Sequence, residues 1–204
     1  MARGGDRSHE DAYSRRAREQ GYPARSVFKL EEIDRRTNLL RPQAAVLDLG
    51  AAPGSWSLYA LDRIGAGGSV TAVDLAPLPG ALAAHVGPRL QYLQMDMGSE
   101  QLAQTLDGVE FDVVLSDAAP ATSGNGIVDT AKSEQLLDVA LLLATERLRS
   151  GGALVAKLLQ GGDVGQLLRT WREHFAHVRT MKPAASRAES TELFVIGLDY
   201  RTIH

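Results

Sequence analysis

The run Val46-Leu47-Asp48-Leu49-Gly50-Ala51-Ala52-Pro53-Gly54-Ser55-Trp56 limits what this chain can fold into more than any other stretch. Val46 to Leu49 is apolar apart from Asp48 and reads as a short buried strand. Gly50 and Gly54 allow a sharp turn and a close approach of backbone to a ligand, because neither carries a Cβ. From Ser55 to about Ile64, Trp56, Tyr59, Ala60 and Arg63 recur at helical spacings. Strand, glycine turn and helix in that order open a nucleotide-binding α/β sheet, with the ligand over the strand's carboxyl end.

The glycine spacing narrows the ligand. A dinucleotide site wants Gly-x-Gly-x-x-Gly and a pyrophosphate on the helix N-terminus. Here the middle position is Ala52, and Pro53 removes an N–H donor where a phosphate would need one. A phosphate loop ending in Gly-Lys-Ser/Thr is absent. The turn therefore suits a nucleoside ligand without phosphates, with S-adenosylmethionine (AdoMet) the obvious candidate. Taken alone, the stretch is also compatible with an ordinary tight turn.

Downstream, strands are expected at Ser69–Val73, Leu90–Met95, Phe111–Leu115, Ala153–Leu158, His177–Met181 and Leu193–Leu198. Helices are expected from Pro23 to about Asn38, from Ser99 to Leu106, from about Thr130 to Leu148 and from Gly161 to Phe175. Asp74, Asp96 and Asp117 each end a strand. Asp74 lies 20 residues past Gly54, where such a unit places the carboxylate for ribose hydroxyls. Asp96 could face an adenine amino group or cap the next helix. Three acids in succession at strand ends suggest one pocket. Lys157 lies within an apolar strand, which costs free energy unless it is paired or neutral. Glu192 would enter the same pocket as Asp74, Asp96, Asp117 and Lys157 if the last strand ran antiparallel. Lys29, on a helix face with Arg25, Glu32 and Arg36, reads locally as a solvated lysine.

The 204 residues suffice for one domain, with residues 1–38 as a basic arm and helix packed on the body of residues 39–204. The absence of cysteine excludes disulfides and thiolate metal sites, and no metal-ligand spacing occurs. No apolar run is long enough to span a bilayer and the N-terminus lacks a signal-peptide core, so a cytoplasmic protein is expected. The net charge of −3 hides an asymmetry: seven basic and four acidic residues give Met1–Lys29 a charge of +3, leaving −6 for the rest. An arginine-rich arm on an acidic body points to a polyanion partner or to a solvated helix face.

Four segments together resemble the FtsJ-type RNA ribose 2′-O-methyltransferases: Ser26–Leu30, Asp48–Trp56, Ser116–Pro120 and Val155–Gly161, with Lys182-Pro183, Ser186-Arg187 and Glu192 also fitting. The likeness spans about Tyr13 to Gly197. It implies a Rossmann-like α/β methyltransferase fold, a mostly parallel seven-stranded sheet with an antiparallel last strand and helices on both faces. It implies a catalytic tetrad of Lys29, Asp117, Lys157 and Glu192. It also implies AdoMet held by Gly50, Gly54, Trp56, Asp74, Asp96 and Asp117. The substrate implied is a uridine of large-subunit ribosomal RNA, free or in the assembled subunit. The sequence departs from the family's usual pattern at Ser55 (a glycine), Ala121 (a polar residue) and Phe194 (a tyrosine).

The expected reaction is in-line attack of a ribose 2′-oxygen on the sulfonium methyl, so the protein must position two reactants and handle one proton. Lys157 is the expected base, Lys29 orients the ribose or backbone, and Asp117 and Glu192 hold the lysines. Arg15, Arg16, Arg18 and Arg25 on the arm, with Lys182 and Arg187 opposite, are the expected RNA contacts. A monomer acting on neither DNA nor membranes is expected. A transfer RNA 2′-O-methyltransferase, a small-molecule or protein methyltransferase and a non-catalytic RNA-binding or ribosome-assembly protein remain alternatives on the same fold.

Overall fold

Short runs of Val, Leu, Ile and Ala set the strands, and polar-faced helices join them. The computed structural model describes residues 12–120, 123–161, 164–186 and 190–202. The strands are β1 (Ala45–Leu49), β2 (Ser69–Asp74), β3 (Leu90–Gln94), β4 (Phe111–Ser116), β5 (Leu148–Leu159), β6 (Phe175–Met181) and β7 (Glu192–Tyr200). They form one seven-stranded sheet in the order β3-β2-β1-β4-β5-β7-β6. β1 to β5 pair in parallel, and β7 runs antiparallel to both β5 and β6. The expected architecture and the antiparallel last strand are both present.

The helices are α1 (Ala12–Glu19), α2 (Val27–Thr37), α3 (Ser55–Ile64), α4 (Gly80–Ala83), α5 (Glu100–Thr105), α6 (Gly126–Arg147) and α7 (Val164–His174). Residues alternate across each strand. Val46, Ala72, Leu115, Val155 and Phe194 therefore share one face, packed against Leu30, Ile33, Trp56, Ala60 and Leu82 of α2, α3 and α4. Leu47, Leu49, Val114, Leu154 and Val195 share the other, packed against Leu102, Leu137, Leu141 and Trp171 of α5, α6 and α7. No helix among the described residues is long and apolar enough to cross a membrane.

Several boundaries differ from expectation for local reasons. α2 starts at Val27 rather than Pro23, because residues 23–26 form a turn. α6 starts at Gly126 rather than Thr130, because Asn125 Oδ1 accepts the Ile127 N–H at 3.1 Å and caps the helix a turn earlier. β5 begins at Leu148 rather than Ala153, and its pairing with β4 shifts register between Phe111 and Val113. Strand order reverses between β1 and β4, and at such a switch point an open α/β sheet forms its ligand crevice.

Candidate active site

Gly50 lines the crevice floor, and Gly54, which does not line it, packs against Leu82 of α4. Both adopt positive φ, 72° and 109°. A Cβ on Gly50 would lie 2.6 Å from Ala118 Cα, and one on Gly54 would lie 2.7 Å from Leu82 Cγ. The turn therefore runs in backbone contact with the loop that carries Asp117. Above it lies a cleft of about 430 Å³, lined by Gly50, Asp74, Asp96, Asp117, Ala118 and Leu136 among others. Three acids converge there, as their strand-end positions suggested.

Asp74 also braces the turn. Its Oδ2 accepts the Ala52 N–H at 2.9 Å and its Oδ1 accepts the Ala76 N–H at 2.8 Å. Asp96 is exposed at the rim, with Oδ1 accepting the Gly98 N–H at 2.8 Å. Trp56, expected beside the cofactor, does not line the cleft. Its side chain is buried, its Nε1 donates to the Ser26 carbonyl at 2.9 Å, and its ring centroid lies 5.6 Å from that of Phe194. In the first turn of α3 the large indole is drawn into the core against α2, which leaves only the backbone of Trp56 near the glycine turn.

Beside the cleft stand two lysine–carboxylate pairs. Lys157 Nζ donates to Asp117 Oδ1 at 2.9 Å and to the Asp117 backbone carbonyl. Lys29 Nζ lies 2.6 Å from Glu192 Oε1. Lys29 is thus not a solvated lysine; its side chain is only 13% exposed. β7 brings Glu192 to Lys29 on α2, while Glu32 and Arg36, further along the same helix, pair at 2.7 Å. Phe194 pairs in register with Lys157 and has its ring centroid 5.9 Å from Lys29 Nζ, so it lies between the two pairs.

Glu192 does not line the cleft with Asp74 and Asp96. It borders an adjoining hollow of about 300 Å³ with Arg25, Lys29, Ala185 and Ser190. The expected single pocket is therefore two compartments, because the start of β7 lies two strands beyond β4. Burial pushes the Glu192 carboxyl up, but Lys29, the Ser186 hydroxyl and the Lys157 charge outweigh it and hold it below its usual range.

Asp48 is a further acid at the site, with no role expected from the sequence. It is fully buried on β1, its Oδ2 accepts the Ser57 hydroxyl at 2.6 Å, and its Oδ1 has no partner among the described residues. Burial pushes its carboxyl up to about 7, against the Ser57 hydrogen bond and with help from the charges of Asp117 and Asp74. An acid inside an apolar strand was the available signal, the same one that singled out Lys157.

Ser55, at a departure from the family pattern, ties α3 to the turn before α2. Its hydroxyl accepts the Ala24 N–H at 2.9 Å and donates to the Ala24 carbonyl at 3.1 Å. On the arm, Arg15, Arg16 and Arg18 are exposed on α1. Arg16 Cζ lies 4.4 Å from the Phe28 ring centroid, and its NH2 lies 3.9 Å from Glu31. Arg25 donates to the Ala185 carbonyl, with its Cζ 5.4 Å from the Tyr13 ring centroid. Lys182 Nζ donates to the Ser190 carbonyl at 2.8 Å. Arg187 and Ala121 lie outside the described residues. No group of three or more metal-ligating side chains occurs among the described residues.

The FtsJ-like methyltransferase profile matches residues 22–200. The ribosomal RNA large subunit methyltransferase E of Sorangium cellulosum is 50% identical over 191 residues, covering 92% of this chain and 87% of that protein. The protein of the same name from Treponema denticola is 45% identical, covering 95% and 96%. Among solved structures, a Plasmodium falciparum protein assigned as a ribosomal RNA methyltransferase superposes with a TM-score of 0.74 at 24% identity, covering 88% of this chain and 98% of that one. Aeropyrum pernix fibrillarin, solved with natively bound AdoMet, gives a TM-score of 0.57 at 17% identity over 78% of this chain and 68% of that one. These two likenesses speak to the fold alone. The profile match over most of the chain and the close bacterial relatives agree with the four motif segments: the chain belongs to the FtsJ-like methyltransferase family.

Proposed function

We propose that the protein transfers a methyl group from AdoMet to a ribose 2′-hydroxyl of large-subunit ribosomal RNA, with a uridine as the target. The observation that carries this reading is the Lys157–Asp117 pair at the lip of the cleft, with Lys29–Glu192 beside it. The names of the bacterial relatives support the RNA class.

The cleft fits AdoMet better than a dinucleotide. Asp74, Asp96 and Asp117 would repel a pyrophosphate but can accept from ribose and adenine donors and sit near a sulfonium. Gly50 and Gly54 give the backbone its close approach, and Trp56 contributes through the first turn of α3. Bound AdoMet supplies an activated methyl on a positively charged sulfur.

Lys157 acts as the base. Two of the three directions around Nζ are committed to Asp117, which leaves the third for the ribose hydroxyl. With AdoMet bound, methyl transfer to the 2′-oxygen would release the hydroxyl proton, and Lys157, once it has lost its own proton, would take it up. Asp117 fixes the direction of that amine. Glu192 anchors Lys29, which holds the ribose or its phosphate. The arm residues Arg15, Arg16, Arg18 and Arg25, with Lys182 and Arg187 opposite, hold the RNA, and the protein works in the cytoplasm.

Mapping 2′-O-methyl groups in ribosomal and transfer RNA from cells lacking the gene tests this reading. One uridine of the large-subunit RNA should lose its methyl group and regain it on complementation. Loss confined to transfer RNA, or no loss from any RNA, would refute it.

A further inference from the structure

A second hollow lies next to the candidate active site, on the outer side of α2. It measures about 350 Å³ and is lined by Tyr13, Arg16, Phe28, Glu31 and Ala185 among others. Ala185 also borders the hollow that holds Lys29 and Glu192. Phe28 and Lys29 are consecutive on α2. The two hollows are thus neighbours along one path over the protein surface.

Arg16 is unusually prepared there. Phe28 is buried, and the Arg16 guanidinium lies over its ring with Cζ 4.4 Å from the centroid. Glu31 restrains the same guanidinium through a long contact of 3.9 Å, too exposed to contribute much stability. Half the Arg16 side chain, 51%, stays open to solvent. The cation is therefore seated over an aromatic ring with half of its side chain left open. Unstacked RNA bases rest on aromatic rings or on guanidinium planes.

We infer that Arg16 is a stacking platform for an unpaired nucleobase flanking the methylated nucleotide, rather than a phosphate contact. The inference rests on the RNA reading above. It gives the arm a role in splaying the strand, so that the target ribose can reach Lys157 while its neighbour is held on Arg16. A lysine at this position would keep the charge and lose the plane.

Equilibrium binding to single-stranded oligouridine, and to a ribose-phosphate chain of the same length without bases, tests the idea across a salt series. Arg16→Lys should weaken oligouridine binding about tenfold, within the range for one stacked base. It should leave the slope of log affinity against log salt unchanged and not affect the base-free chain. Equal binding of oligouridine by Arg16→Lys and the unsubstituted protein would overturn the platform. So would equal weakening for both chains, or no oligouridine binding by the unsubstituted protein. Arg16→Ala should weaken oligouridine binding at least as much as Arg16→Lys, since it removes the plane as well. Methyl incorporation into large-subunit ribosomal RNA by the unsubstituted protein, measured alongside, tests the enzymatic reading separately.

Discussion

Lys157 Nζ and Asp117 Oδ1 are 2.9 Å apart, held by two strands that are hydrogen-bonded neighbours in parallel register. The lysine reaches out of β5 to the residue just past the end of β4, so its position is set by the sheet and not by a loop. Lys157→Ala should lower the single-turnover rate at least ~10²-fold, the low end for a lost acid–base group. Lys157→Arg should fail to rescue it, because guanidinium stays protonated. AdoMet affinity by calorimetry should change little. Retention of most activity by Lys157→Arg would make the residue an orienting cation instead.

Asp48 should govern part of the protein's pH dependence. Its carboxyl titrates near 7 in the folded protein and near ~4 when unfolded, so the folded state keeps the proton longer. Stability should therefore fall as pH rises from about 4 to about 7 and level off above. The groups acting on it are Ser57, Asp117 and Asp74. Asp48→Asn should remove this part of the slope and gain on the order of 3 kcal/mol over the unsubstituted protein at pH 8 relative to pH 4. Denaturant unfolding across that range checks it, and parallel profiles for the two proteins would disprove it.

Gly50 and Gly151 make a controlled pair. Both have left-handed backbones, with φ of 72° and 79°. A Cβ on Gly50 meets Ala118 backbone, whereas one on Gly151 meets nothing within 4 Å. Gly151→Ala should cost ~1 kcal/mol from the backbone alone. Gly50→Ala should cost ~2 kcal/mol or more and weaken AdoMet binding, because the clash displaces the loop carrying Asp117. Equal losses in urea titrations would mean that the close approach is relaxed easily.

The arm should provide affinity and no chemistry. Reversing Arg15 and Arg18 to glutamate should weaken RNA binding, flatten its dependence on salt and leave AdoMet affinity unchanged. A salt slope equal to that of the unsubstituted protein would remove α1 from the interface.

Sheet and crevice were legible because strands, glycine turn and strand-end acids are local patterns. Ser55–Ile64 formed as the helix its spacing indicated, and Asp74, Asp96 and Asp117 met where strand ends must meet. What was not legible depends on contacts distant in sequence. Lys29 has no local reason to be buried; its partner arrives on the last strand. Trp56 shares a helical face with Tyr59 and Arg63, and only the packing of α2 shows that this face turns to α2, with Arg63 still partly exposed. The same holds for Asp34, buried on α2, which accepts from Leu40 N–H, the Tyr59 hydroxyl and Arg63 Nε. Nothing near it in the sequence announces a structural hub.

The position of β7 has a kinetic consequence. It is the last strand in the chain, yet it lies between β5 and β6. Until it inserts, β6 has no partner within the sheet and Lys29 has no Glu192. The β6–β7 pairing is local, but the Lys29–Glu192 contact joins opposite ends of the chain, and such long-range contacts form late, since the loop must close before they are gained. A partly folded chain can therefore have its glycine turn in place while lacking the second lysine pair. Closure of the sheet and arming of the site become one event.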